Sequence, residues 1–476
     1  MTFGLYWDEY GVYFKLMNPN TSEPITVPSI DEIREILAKR IDQQKQALGI
    51  VVGLIRPNGR RVVAYGNLAK GDPRTLDGDT IFEIGSVSKV FTSLVLAEMV
   101  NRKEVALEDP AAKYLPEHVR MPQRSGKSIT LLDLSTHRSG LPSVPSNLKL
   151  NLEQGEMKDA ASIHAFYSMD DLYEFLSGYT LPRDPGSEFE YSNLGAGLLG
   201  HILAYRAGTD YESLIRSRIT QPLGMPDTGI TLSPSLKQRM ATGHNALLAP
   251  VAQKDWDSSP AFAGAGALRS SVNDMLTFLE AFLGYNASPL APAMKAMLEV
   301  RRPLGKTKFE IGLAWQIFGE TAWHGGGTGG FRSFVAYDPK DRIGVVVLSN
   351  ASTPSGVDDI GLHLLNPKLP LVNAEPPKSN TGIQLDPKLL DNYTGRYQLP
   401  DRILEITRDG GRLFVQFFGQ QGMGGPMFEM FAEREKNFFV KTTGSQFTFE
   451  TDPAGRATGL IMYRVGRPGT PGSRLF

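Results

Sequence analysis

The stretch FEIGSVSKVF, residues 82–91, sets Ser86, Ser88 and Lys89 just ahead of the apolar run VFTSLVLAEMV. Serine is a poor nucleophile until a neighbouring base takes its proton, and burial lowers a lysine pKa enough for it to assist. Residues three apart on a helix share a face, so the Lys89 amine can sit against Ser86 Oγ while Ser88 points elsewhere. A helix opening here also offers the Ser86 backbone N–H to a developing oxyanion. The bland alternative is a serine that caps the helix and a lysine left in solvent. S-x-x-K has only two fixed positions, and Ser146-Asn147-Leu148-Lys149 repeats it in a loop-like stretch behind Pro145.

Two more stretches carry chemistry-bearing residues. PGSEFEYSNLGAGLLG (185–200) leads Tyr191-Ser192-Asn193 into an apolar helix, with Tyr65-Gly66-Asn67 as a rival Tyr-x-Asn on an early hairpin. TAWHGGGTGGFRS (321–333) brings His324-Gly325-Gly326 to the start of a strand. Taken singly, these read as a packed tyrosine beside a capping asparagine, and a glycine-rich turn with a half-buried histidine.

In the order Ser86, Tyr191, His324 they resemble the serine β-lactamase and penicillin-recognising family. The resemblance is to the branch of class C β-lactamases, D-aminopeptidases, DD-peptidases and family VIII carboxylesterases, whose order is S-x-x-K, then Y-x-N, then K-T-G or H-x-G. ITLLDLSTHRSGLP (129–142), GAGALRSSVNDMLTFL (264–279) and GGTGGFRSFVAYDP (326–339) also look like the family, and the resemblance covers about residues 30–355. It implies Ser86 as the acylated nucleophile, with Lys89 and Tyr191 sharing its proton. A phenol of pKa near 10 would need the Lys89 cation close by to act as a base. Asn193 would bind a substrate amide or orient Lys89. His324, Gly326 and Gly327 would line the substrate side, the oxyanion resting on the N–H groups of Ser86 and Gly327.

The third motif departs from the β-lactamases. Neither K-T-G nor K-S-G occurs in the chain, and a neutral histidine holds a β-lactam carboxylate less strongly than lysine would. H-x-G is the D-aminopeptidase form, yet Trp323-His324-Gly325 also fits the W-x-G of family VIII esterases. Both registers stay open, with His324 favoured because the glycines behind it then align. The expected activity is a serine hydrolase without metal or cofactor, acting through an acyl-enzyme on small esters or amides, peptides with D-residues included. The rival readings are a β-lactamase or DD-peptidase, a transacylase, and a non-catalytic penicillin-binding-like sensor or scaffold.

The elements that must position these residues can be read from local signals. Ser29 and Glu32 form a capping-box pattern ahead of Ile33, Ile36, Leu37 and Ile41 at helical spacing. GIVVGLI (49–55) and RRVVAYG (60–66) flank Pro57-Asn58-Gly59, where Asn-Gly would supply the positive φ values of a tight hairpin. SFVAY (333–337) and IGVVVLSN (343–350) make a second hairpin through Asp338-Pro339-Lys340-Asp341. Strands at both ends of one region, with helical and loop sequence between, predict an α+β fold: a largely antiparallel sheet flanked by helices, with a helical lobe inserted. The expected domains are an extension over 1–28, the hydrolase over 29–365, a linker over 366–385, and a lipocalin-like all-β barrel over 386–476. The barrel rests on ILEIT (403–407), RLFVQFF (412–418), NFFVKT (437–442), QFTFET (446–451) and LIMYRV (460–465), separated by turn signals.

Composition excludes several alternatives. The chain has 476 residues, 41% hydrophobic and 21% charged, which is ordinary for a globular protein. Fifty basic residues against 51 acidic ones give a net charge of −1, so no footprint of a nucleic-acid binder is present. Zero cysteines remove disulfides and thiolate nucleophiles, and the seven histidines contain no HExxH. Gly126-Lys127-Ser128 lacks the P-loop glycine because Met121 stands in its place, and G-x-S-x-G is missing. Asp8 and Glu9 sit where a signal peptide would be apolar, and no run of 18 apolar residues exists. As written, the chain reads as cytoplasmic, or as periplasmic or secreted with a signal already removed. The expected partner is a small-molecule or peptide substrate, and the barrel could mediate homo-oligomers.

Overall fold

The computed structural model describes residues 28–148, 152–153, 156–157, 167–252, 260–305, 307–353, 355–374, 376, 382–400, 402–419, 424–440, 445–463 and 469–475. The extension expected over 1–28 therefore lies almost wholly outside the described residues. Helix α1 (Ile30–Ala38) begins with the expected capping box: Ser29 Oγ accepts the Glu32 N–H at 3.2 Å, and Glu32 Oε2 accepts the Ser29 N–H at 2.7 Å. Ile33 and Leu37 of this helix are buried with Val52, Trp323 and Phe334.

Eight antiparallel strands form the main sheet: β1 (Gly49–Arg56), β2 (Gly59–Gly66), β3 (Arg302–Pro303), β4 (Glu310–Ile311), β5 (Gln316–Phe318), β6 (Thr321–Gly327), β7 (Arg332–Asp338) and β8 (Ile343–Ser349). Their order is β2-β1-β8-β7-β6-β5-β4-β3. The antiparallel sheet of the expected α+β architecture is thus present. β1 and β8 pair from Ile50↔Ser349 to Ile55↔Gly344, and both are buried nearly throughout, which explains why they read as continuous apolar runs. Between β2 and β3 the chain builds the helical lobe, including α2 (Ser88–Asn101), α3 (Asn193–Ala207) and α4 (Val272–Phe282). One sheet face, with Val51, Val335 and Val346, packs on that lobe. The other packs on α1 and on α5 (Asp358–Leu365).

Both hairpins form, but the first turn sits one residue earlier than Asn-Gly implies. Arg56 pairs with Gly59, so Pro57 and Asn58 make the link, and positive φ falls on Gly59 alone at +111°. The fixed φ of proline suits the first corner of a type I turn, which leaves the left-handed residue to follow it.

After α5 the chain closes an eight-stranded antiparallel barrel: β9 (Gly395–Gln398), β10 (Arg402–Asp409), β11 (Arg412–Gly419), β12 (Gly424–Arg434), β13 (Asn437–Phe439), β14 (Gln446–Thr451), β15 (Ala457–Tyr463) and β16 (Thr470–Leu475). Strands β9, β12 and β16 carry no strand signal in the sequence. GGPMFEMFAER and TPGSRL open with Gly or contain Pro, which weakens β propensity until neighbouring strands supply pairing. The ends of NFFVKT and LIMYRV, residues 441–442 and 464–465, lie outside the described residues. Among the described residues no helix is long and apolar enough to cross a membrane.

Candidate active site

Ser86 occupies the middle of a 3₁₀ turn, Gly85–Val87, that runs into α2. It does not cap the helix: Val87 holds the cap position without a side-chain bond. The Ser86 hydroxyl instead accepts two hydrogen bonds, from Lys89 Nζ at 2.9 Å and from Tyr191 OH at 2.7 Å. α2 is apolar on nearly every side, so Lys89 is only 1% exposed. Its other N–H donors end on Asn193 Oδ1 at 2.8 Å and the Ala265 carbonyl at 2.7 Å. Ser88 does turn away, accepting the Leu268 N–H at 3.1 Å.

The partners arrive on elements fixed by close backbone approach. Ser192 caps α3 by accepting the Gly195 N–H at 2.8 Å, which puts Tyr191 just before the helix and Asn193 in its first turn. Asn193 Nδ2 donates to Ser143 Oγ at 3.3 Å. A side chain at Gly197 would stand 2.2 Å from the Ala261 carbonyl, so a glycine there lets α3 meet the segment that delivers Ala265.

Strand β6 supplies the opposite wall, its residues alternating between the two faces of the sheet. Trp323 faces the α1 side, edge-on to Phe309 at 5.6 Å, whereas Ala322 faces the lobe. Period two then sends His324 and Gly326 to the lobe side with Ser86. A methyl on Gly326 would stand 2.1 Å from the Ile84 carbonyl and 2.3 Å from Ser333 Oγ. A methyl on Gly85, whose φ is +50°, would meet the Gly327 nitrogen at 2.7 Å. Turn and strand thus touch backbone to backbone, with Ser333 Oγ donating to the Ile84 carbonyl at 2.7 Å.

Burial governs the electrostatics. It pushes the Lys89 amine well below its ordinary range and the Tyr191 phenol well above its own. Lys89 Nζ lies 4.9 Å from the Tyr191 ring centroid. His324 is pushed down to about 3, by burial first and the Lys89 charge second. Its Nδ1 donates to the Gly325 carbonyl at 2.7 Å, which leaves Nε2 as an acceptor.

All seven residues singled out in the sequence, Ser86, Lys89, Tyr191, Asn193, His324, Gly326 and Gly327, border this one site. The rival copies do not: Ser146 is exposed, and Tyr65 OH donates to Asp42 Oδ2 at 2.5 Å. Three contributors escaped the sequence reading. The Ala265 carbonyl has no side-chain signal, whereas His137 and Ser143 lie in or beside the stretch 129–142 already noted for its likeness.

Residues 33–366 match the model of the Beta-lactamase family. The chain belongs to that family. It is therefore a serine hydrolase of the acyl-transfer type. Residues 380–470, the barrel region, match a domain of unknown function, DUF3471. A D-alanyl-D-alanine-carboxypeptidase/endopeptidase, AmpH, of Escherichia coli K12 is 28% identical over 75% of this chain and 95% of its own. A beta-lactamase of the same strain is 26% identical over 68% of this chain and 89% of its own. A solved class C beta-lactamase superposes with a TM-score of 0.59 at 20% identity, over 71% of this chain and 94% of its own. The beta-lactamase/D-alanine carboxypeptidase of Pseudomonas syringae does so at 0.58 and 21%, over 69% and 95%. These two likenesses speak for the fold.

Proposed function

We propose that Ser86 is the nucleophile of an esterase or peptidase that acts on small esters and amides, D-amino-acid peptides included. The observation that carries this reading is the convergence of Lys89 Nζ and Tyr191 OH on one buried serine hydroxyl, at 2.9 and 2.7 Å. Asn193 Oδ1 and the Ala265 carbonyl can only accept, so each fixes one lysine N–H. Burial favours the neutral amine, and in that form the 2.9 Å contact reverses: the Lys89 lone pair points at Ser86 and accepts its O–H.

In acylation Ser86 Oγ bonds to the substrate carbonyl carbon while its proton moves to Lys89 Nζ. The carbonyl oxygen becomes an oxyanion between the N–H groups of Ser86 and Gly327, a position supported by the contact of Gly85 with Gly327. Collapse breaks the bond to the leaving alcohol or amine, which takes a proton from Tyr191 OH. The new phenolate faces the Lys89 ammonium. In deacylation a water loses a proton to that phenolate and attacks the acyl carbon. Ser86 then leaves, regaining its proton from Lys89.

His324 supports amides and esters over β-lactams. Neutral and with Nε2 as acceptor, it suits a substrate N–H and offers no cation for a carboxylate. The D-peptide class draws support from the relative named as a D-alanyl-D-alanine-carboxypeptidase/endopeptidase. The barrel is read as an accessory domain with a structural role, because Tyr393, Phe438 and Phe449 fill its interior, their centroids 4.6 to 5.5 Å apart.

The test is a panel of nitrophenyl esters, a chromogenic cephalosporin, and D- and L-amino-acid anilides, run on wild type and Ser86→Ala. Turnover of esters and D-anilides, with loss of both turnover and phosphonate labelling in Ser86→Ala, is expected. A cephalosporin turned over with the highest kcat/KM would replace the reading with a β-lactamase. Labelling retained by Ser86→Ala would remove Ser86 from the chemistry.

A further inference from the structure

Against the Tyr191 ring lies a histidine to which the proposed mechanism gives no proton-transfer role. His137 is 2% exposed and follows the short helix Leu131–Ser135 with φ of +56°, a conformation uncommon for a residue bearing a side chain. Its carbonyl accepts the Glu190 N–H at 2.8 Å, and its Nδ1 accepts the Ser192 N–H at 3.2 Å. Its imidazole lies against the Tyr191 ring, centroids 4.4 Å apart and planes tilted by 35°. Phe189 meets the same imidazole edge-on at 5.8 Å. One residue therefore touches all four positions from Phe189 to Ser192.

We propose that His137 is the positioning residue for Tyr191, fixing the main chain on both sides of it and bracing its ring so that the phenol stays on Ser86 Oγ. This rests on the reading of Tyr191 as the group that exchanges protons with leaving group and water. The ring must be neutral to do so. Because Nδ1 accepts a backbone N–H, the neutral tautomer carries its proton on Nε2. A proton on Nδ1 would set donor against donor. Burial holds His137 well below the ordinary imidazole range. A reacting group displaced by about 1 Å loses on the order of 10²-fold in rate.

The test compares kcat and KM for nitrophenyl acetate in four variants and one double variant. His137→Ala removes ring and acceptor, and His137→Phe keeps a ring without the acceptor. Both are expected to lose on the order of 10²-fold in kcat with KM within about threefold. His137→Asn keeps an acceptor in place of Nδ1 and tolerates the left-handed backbone, so it should recover about tenfold over His137→Ala. In a Tyr191→Phe background, His137→Ala should cost less than about threefold more, since the residue acts through the phenol. A His137→Ala enzyme within about threefold of wild type, or losses of equal size in both backgrounds, would overturn the proposal. A Tyr191→Phe enzyme of normal rate would overturn the underlying reading instead, which distinguishes the two failures. If His137→Ala does not fold, ¹⁵N spectra of the wild-type histidines decide the matter. A neutral Nε2–H ring from pH 5 to 8 is expected, and an Nδ1–H ring or an imidazolium at pH 6 would refute the proposal.

Discussion

Replacing Gly326 by alanine tests how closely the nucleophile turn and strand β6 must approach. The added methyl would stand 2.1 Å from the Ile84 carbonyl and 2.3 Å from Ser333 Oγ, where ordinary contact begins at 3.4 Å. Relief requires the strand and the turn at 84–86 to separate by roughly 1 Å, because the atom struck is backbone. The Ser333–Ile84 hydrogen bond of 2.7 Å would be strained or lost with it. Overpacking of this kind costs about 1–3 kcal/mol of stability. At roughly 2–4 °C per kcal/mol, Tm should fall by several degrees. The catalytic cost is larger, since the proposed oxyanion donors on Ser86 and Gly327 separate: removal of one such donor costs about 10²–10³ in kcat. Gly325→Ala is the control, because its methyl points to the other face and meets Asp358 Oδ1 at 3.5 Å, an ordinary contact. Ester hydrolysis, phosphonate labelling rate and thermal melts on both variants would be compared. Gly326→Ala with kcat/KM within about fivefold of wild type would refute the account of turn and strand as one oxyanion site.

Two further outcomes concern buried charge. Arg40 and Asp359, 2% and 5% exposed, pair at 2.5 Å, and Asp359 Oδ2 also accepts the Val372 N–H at 2.8 Å. Arg40→Ala strands the carboxylate and should cost about 3–5 kcal/mol, read as a lower denaturation midpoint. Asp274, buried beside Thr228 and Asp227, is pushed up from 3.8 to about 6, chiefly by burial. Between those values the folded protein holds a proton that the unfolded chain has released, so this group lowers stability as pH rises through the window. The effect is worth about 3 kcal/mol at 1.36 kcal/mol per pKa unit. Asp274→Asn, which can still accept from Asp227 N and Thr228 Oγ1, should flatten the fall in stability between pH 4 and 6; an unchanged slope would refute the assignment.

What the sequence made legible follows from how far each signal reaches along the chain. The capping box at Ser29 and the hairpin of β7 and β8 depend on a few adjacent residues, and both stand as expected. The order Ser86, Tyr191, His324 was readable because each residue lies on an element with its own local pattern. The two registers at 323–326 were not separable, because they differ in which residue meets the lobe, a tertiary fact. The Ala265 carbonyl was invisible for a similar reason: any residue type supplies a carbonyl, and only the packing of Gly197 on Ala261 brings this one to Lys89. β9, β12 and β16 escaped because glycine and proline mask strands whose pairing comes from distant partners.

The same packing explains how a lysine survives inside the lobe. Lys89 Nζ has three neutral partners, Ser86 Oγ, Asn193 Oδ1 and the Ala265 carbonyl, and among the described residues no carboxylate ties it up as a salt bridge. A paired carboxylate would raise the lysine pKa and hold it cationic, unable to take the serine proton. Neutral acceptors satisfy its hydrogen bonds without stabilising the charge, and burial then tips it toward the amine. His137 and His324 gain by the same logic, each kept neutral chiefly by burial. In the proposed mechanism the site runs on groups whose charge the fold withholds until a proton arrives from Ser86, which suits a place at the head of an apolar helix rather than on the surface.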